Sequence, residues 1–211
     1  MPVLLRVLAV LLSWTVGLSA GQRPAIATGD PEPVLVLPDA MQQALDRFDR
    51  DFVPRRMIDY PPLLWRPGCA GPPACAERIY KPDPRQAPFA VAGFFDADDI
   101  MDVMIDGDNR THGRRLVLTT GPGGIVVTEV EEIQRIPPAV AASRPEGGRW
   151  RAWTEGVPES LSFVRAATYR SDHEPEPLAL SADAVLVTRT DGRATIWYHR
   201  DGAWRPFVIA K

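Results

Sequence analysis

The chain reads as an α+β protein, with one N-terminal helix packed on a mainly antiparallel β-sheet of short strands and hairpins. Three observations predict this. Met41, Leu45, Phe48 and Phe52 recur at spacings of four, three and four, the repeat of one helical face. From residue 89 onward the chain is a succession of short β-branched and aromatic runs bounded by turn residues. Asp191-Gly192 and Asp201-Gly202 separate the last three runs, and Asp-Gly supplies the positive φ angles of tight hairpins. A helix with a single apolar stripe has to bury it, and strands are what the rest of the chain offers.

The first element is not part of the fold. A short basic start, Met1 to Arg6, leads into the apolar run Val7 to Leu18 and a small-residue exit, Ser19-Ala20-Gly21. This is the layout of a secretory signal peptide, and its apolar run is shorter than the ~18–20 residues that cross a bilayer. Cleavage is expected after Ala20, with Ala25-Ile26-Ala27 offering a site as late as residue 27. An uncleaved anchor is the alternative. Residues 21–36 are rich in Pro, Gly and Ala without period and read as a flexible leader, which leaves 37–211 as a single domain.

The helix is expected over Leu37–Phe52, with Asp39 as its cap, Gln42 completing a capping box, and Pro54 as its stop. Prolines at 61, 62, 67, 72, 73, 82, 84 and 88 then favour an extended, irregular connection, with a short strand near Ala76–Tyr80. Cys69 and Cys75 flank a Gly-Pro-Pro turn within it. In an oxidising compartment such a pair reads as a local disulfide, worth about 2–2.5 kcal/mol by loop entropy. It is not the C-x-x-C of a redox pair, and a zinc site would need two further ligands.

Strands are expected at Phe89–Phe95, Met101–Ile105, Leu116–Thr120 and Ile125–Val130, the last two joined by Gly121-Pro122-Gly123-Gly124. Residues 136–148 read as loop, Trp150–Trp153 and Leu161–Ala167 as strands, and Asp172–Pro177 as another loop. Ala184–Thr190, Ala194–His199 and Ala203–Ile209 form a three-stranded meander through the two Asp-Gly turns. No repeat of a length that builds propeller blades is present.

Composition narrows the partners. Lys and Arg number 24 against 27 Asp and Glu, a formal charge of −3. That balance lacks the basic footprint of a nucleic-acid binder. No stable membrane insertion is expected once the signal is removed.

The segment Gly93-Phe94-Phe95-Asp96-Ala97-Asp98-Asp99-Ile100-Met101-Asp102 sets alternating acids in a tight turn between two strands. Calcium takes six to eight oxygens from such closely spaced carboxylates, and D-x-[DN]-x-[DN]-G recurs for that reason. Asp96, Asp98 and Asp102 occupy ligand positions, which makes calcium the one candidate cofactor. Phe94 stands where the first acid belongs, and Asp99 where the glycine belongs. The competing reading is an acidic hairpin turn with solvated carboxylates.

This turn resembles the G-D-F-N-G-D-G-x-x-D-[YV] turn of FG-GAP/VCBS-like small exported bacterial proteins. Gly93, Phe95, Asp96, Asp98 and Asp102 match, whereas Phe94, Ala97 and Asp99 depart. The capped helix, the Asp59-Tyr60-Pro61 that follows it, and the closing Tyr198-His199-Arg200-Asp201-Gly202-Ala203-Trp204 are also similar to that group. The resemblance implies a small single-domain fold and no settled activity.

No catalytic constellation stands out. There is no G-x-S-x-G elbow and no H-E-x-x-H helix, and Ser171-Asp172-His173 are sequence neighbours, whereas triads assemble in space. A hydrolytic acid pair would have to come from the turn at 96–102. His112 and His199 read as turn and strand residues. Trp150, Arg151 and Trp153 form a candidate partner surface, since Trp and Arg are enriched at binding hot spots, although alternation along a strand also permits Trp in the core with Arg in solvent. The expected function is therefore an exported, soluble binding or interaction module of the cell envelope, its partner a protein or a glycan. The alternative is a periplasmic hydrolase using the acidic turn, with or without calcium.

Overall fold

The computed structural model describes residues 23–27, 33–60, 83–96, 98–109, 111–135 and 159–211. The signal segment, Cys69 and Cys75, and the candidate surface of Trp150, Arg151 and Trp153 lie outside the described residues. What is described is α+β and dominated by antiparallel sheet, with one α-helix near the N-terminal end.

Within the stretch read as leader, β1 (Ala25–Ala27) and β2 (Val34–Val36) pair as an antiparallel ribbon. Ile26 turns inward onto Met57, Tyr60 and Phe89, and its amide donates to the Pro84 carbonyl at 3.0 Å. Helix α1 runs over Asp39–Phe48, shorter than the predicted span at both ends. Its N-cap is Pro38, with no side-chain cap, so Asp39 is the first helical residue. There its charge still favours the positive end of the helix dipole. The helix stops six residues before Pro54, where Asp49 turns extended. Met41 and Leu45 keep the predicted stripe, Phe48 is 41% exposed, and Phe52 reaches the core from the loop beyond the helix.

Strands β3 (Val53–Pro54), β4 (Gln86–Ala87), β5 (Ala90–Gly93), β6 (Asp102–Asp108), β7 (His112–Gly121) and β8 (Gly124–Arg135) make a six-stranded sheet, with a single 3-10 turn at Met57–Asp59 between β3 and β4. Its order is β4-β5-β6-β7-β8, with β3 pairing β6 beyond the end of β5. Alternation along β6 sends Val103 and Ile105 toward α1, and Met104 the opposite way. At Gly107 the strand passes directly beneath Phe52, since a Cβ there would lie 2.2 Å from the ring.

The second sheet has four strands in the order β14-β13-β12-β9, formed by β9 (Glu159–Val164), β12 (Ala184–Arg189), β13 (Ala194–Arg200) and β14 (Ala203–Ala210). The predicted meander is β12 to β14, and Asp201 and Gly202 take φ of 54° and 76° at its second turn. Leu161, Val185 and Val187 pack against Val91, Met104 and Val117 of the first sheet, which makes a sandwich with α1 outside one sheet. A ribbon of β10 (Thr168–Tyr169) and β11 (Leu178–Ala179) covers the other sheet around Ile196 and Phe207.

One side of the sandwich is stitched. The β9 amides of Leu161 and Phe163 donate to the Pro88 carbonyl and the Gln86 side chain, each at 2.8 Å. On the other side, β8 and β14 end their sheets.

Candidate functional site

The acidic turn does join two strands, β5 and β6. Its entry is held by Asp183. The Asp183 carboxylate accepts the Phe94 amide at 3.1 Å, and the Asp183 amide donates to the Phe94 carbonyl at 3.1 Å. Arg85 pairs with that carboxylate at 2.5 Å and lies over the Phe163 ring. Phe94, the residue in place of the motif's first acid, is thus a backbone anchor.

Inside the turn the carboxylates serve the chain itself. Asp96 Oδ1 accepts the Asp98 amide at 3.3 Å, and Asp98 Oδ1 accepts the Ile100 amide at 2.8 Å. These Asx turns are what short acidic loops form unaided. Asp102 differs, because it is buried. Its Oδ1 accepts the Thr120 amide at 3.1 Å, and its Oδ2 has no hydrogen-bond partner. Burial, then the Asp96 carboxylate, push the Asp102 carboxyl up to about 7. Burial and Asp96 also raise Asp98. Among the described residues no group of three or more His, Cys, Asp or Glu side chains is gathered as a metal cage. Calcium needs more oxygens than the two Asx-turn carboxylates and one half-used buried one present here, so the donor set falls short of that ion.

Beside the turn, Phe95, Asp96 and Asp183 share a groove of about 300 Å³ with the β13–β14 hairpin tip at His199–Gly202. Arg200 crosses it, donating to the Ala179 carbonyl at 2.6 Å and lying over the Tyr198 ring. A second cleft, of about 430 Å³, opens on the other flank of the same tip. Its floor is Thr119, Val126, Thr128 and Val130 of the first sheet, and its wall is His199 and Trp204 of the second. Trp204 is half-buried, braced edge-on by Phe95 at 5.4 Å and flanked by His199 at 5.8 Å. Val126 is 55% exposed on the floor. Among the described residues the cleft is therefore the mouth of the sandwich between β8 and β14.

The strongest electrostatic feature is one that sequence reasoning missed. Arg115 is wholly buried and forks Asp106, with Nε–Oδ1 at 2.8 Å and Nη2–Oδ2 at 3.0 Å. Its Nη2 also reaches Glu159 Oε2 at 3.0 Å, and its Nη1 donates to Glu131. Glu159 passes the contact on to Arg189. Burial works against the Arg115 charge, and Asp106 and then Glu131 favour it, so its pKa lies above the ordinary value. A parallel fork joins Arg55 to Asp108, at 3.0 and 2.9 Å. The network clamps β6, β7 and β8 of one sheet to β9 and β12 of the other. Arg115, Asp106 and Glu159 are enclosed, while Glu131 and Arg189 lie partly exposed at its rim. The signal was in the sequence: Met104, Asp106 and Asp108 alternate on one face, and that face meets the second sheet.

Ser171, Asp172 and His173 form no triad. The Ser171 hydroxyl accepts the His173 amide at 3.0 Å and donates to the Ile209 carbonyl at 3.3 Å. His112 sits at the start of β7, its Nδ1 2.7 Å from the Thr111 hydroxyl. Comparison with protein-family models, with curated proteins and with solved structures finds no match.

Proposed function

We propose that this chain is an exported binding module of the cell envelope, of the FG-GAP/VCBS-like kind, that engages its partner through the cleft at the mouth of the sandwich. One observation carries the reading. The cleft sets the exposed Val126 and the half-buried Trp204 beside the hydroxyls of Thr119 and Thr128 and the His199 ring. Concave sites that combine apolar and aromatic walls with a few polar groups are where ligands and partner side chains settle. The cleft lies between two sheets that the Arg115 network ties to each other.

A hydrolytic reading draws on the Asp102 carboxyl, which titrates near neutrality as a general acid does. Asp102 is fully buried and bonded to the Thr120 amide, which favours a role in fixing the turn.

The test is co-sedimentation of the purified chain with cell-wall sacculi and, separately, affinity measurement against detergent-extracted envelope proteins. Binding is expected to fall in Val126→Lys and to survive in Asp98→Asn. Release of soluble sugars or peptides from the sacculi, abolished by Asp98→Asn, would overturn the binding-module reading in favour of a hydrolase.

A further inference from the structure

The inner face of the first sheet changes character where it leaves the sandwich. Inside, Val91, Met104 and Val117 pack against Val185 and Val187 of the second sheet. Two residues on from Val117 along β7, and so on the same face, stands Thr119. Across from Val117 on β8 stands Thr128, and across from Thr119 stands Val126. Hydroxyls therefore enter the apolar face where it becomes the floor of the cleft, and Trp204 of the second sheet faces them.

These polar groups are free to bond. Among the described residues the hydroxyls of Thr119 and Thr128, the His199 ring nitrogens and the Trp204 indole N–H make no hydrogen bond. A threonine hydroxyl donates and accepts, a neutral imidazole does the same, and an indole donates. Unpaired charge is missing from the described lining. Glu129 borders the cleft, but its carboxylate lies 3.5 Å from Arg114 Nε, and no Lys, Arg or Asp lines it. The volume, about 430 Å³, falls in the ~300–1,000 Å³ range of small-molecule sites.

Resting on the binding-module reading, we propose that the cleft takes a neutral sugar chain, with one pyranose laid on the Trp204 ring. A pyranose has a C–H face and a hydroxyl rim. Its slightly positive C–H hydrogens suit the negative face of an indole, and its hydroxyls donate and accept as those of Thr119 and Thr128 do. The other ligand classes fit less well. A charged group would lose its water here without gaining a partner of opposite sign. An apolar side chain would cover Val126 and Trp204 but leave the two hydroxyls and the imidazole unbonded.

The experiment titrates the full chain calorimetrically with cellotetraose and chitotetraose, two neutral probes, and with tetragalacturonic acid as the anionic comparator. Saturable binding of at least one neutral probe is expected, with an affinity that does not change with salt. It should be at least tenfold weaker in Trp204→Ala and at least threefold weaker in Thr128→Val, which keeps the shape and removes the hydroxyl. Trp204 also packs on Phe95, so the exposed Thr128 serves as the second variant, each checked by circular dichroism. Tighter binding of the anionic probe, or full affinity in either folded variant, overturns the assignment. Failure of both neutral probes to bind at millimolar concentration overturns it as well. If envelope proteins then still bind, and Val126→Lys abolishes that, the binding module stands without the sugar. If they do not bind either, both readings fail.

Discussion

Arg115 holds both oxygens of Asp106 in a planar fork at 2.8 and 3.0 Å, with neither side chain exposed. Such a pair is costly to bury and costlier to break, because removing one partner strands the other's charge in a low dielectric. Arg115→Met is therefore expected to lower the unfolding free energy by about 3–5 kcal/mol in urea titration. Adding Asp106→Asn in the same chain should recover part of that loss. If the double variant were no better than the single one, the pair would not be the source of the cost.

Asp102 sets a pH dependence. Its folded-state pKa, about 7, lies above the ordinary 3.8, so the folded protein holds this proton more tightly than the unfolded chain. The resulting stability is fully present below about 3.8 and is lost as pH rises through about 7. In chelator, Asp102→Asn should flatten that part of the stability profile and gain roughly 1–3 kcal/mol above neutrality. Thermal melts of both proteins across this range measure it. An unchanged slope would mean that Asp102 does not hold the proton.

Gly107 gives a steric prediction. A Cβ there would meet the Phe52 ring at 2.2 Å, so Gly107→Ala should cost about 1–3 kcal/mol by overpacking. Phe52→Leu in the same chain should make the combined loss smaller than the sum, the coupling expected of residues in contact. Strict additivity would place the strain elsewhere.

The acidic turn predicts no response to calcium. Asp96 and Asp98 already accept amides within the turn, and the first ligand position is Phe94. An ion that binds the native state must raise its stability. Millimolar calcium should therefore leave the melting temperature where chelator leaves it. A rise that grows with calcium concentration would restore the metal site.

Elements with a local cause were legible. The meander from Ala184 to Ala210 rests on two Asp-Gly turns, and the structure places its strands within a residue of where those turns put them. Met41 and Leu45 fixed the buried face of the helix, but its ends were misplaced because the cap is Pro38 and the stop is the extended Asp49. The ribbon β1–β2 was invisible, since three-residue strands carry no period and Ile26 is buried by residues far along the chain. The cleft is hidden for the same reason, and the ion network shows in the sequence only as Asp106 and Asp108 alternating with Met104, without their partners. Arg115, Glu159 and Arg189 are separated by 44 and 30 residues at their contacts, and local sequence does not report such distances. The acidic turn is legible because its residues are adjacent, whereas the cleft joins β8 to the β13–β14 hairpin across a long stretch of chain.

The sheet edges limit how far this molecule can polymerise. Growth of a sheet from copy to copy needs two receptive strands on each molecule, one to accept and one to offer. Among the described residues, Pro206 and Glu174 close β14, Pro88 and Gln86 occupy β9, and two register shifts interrupt β8 against β7. None of these edges offers a long regular run for a neighbouring copy to extend, which closes the sheet-by-sheet route to a fibre.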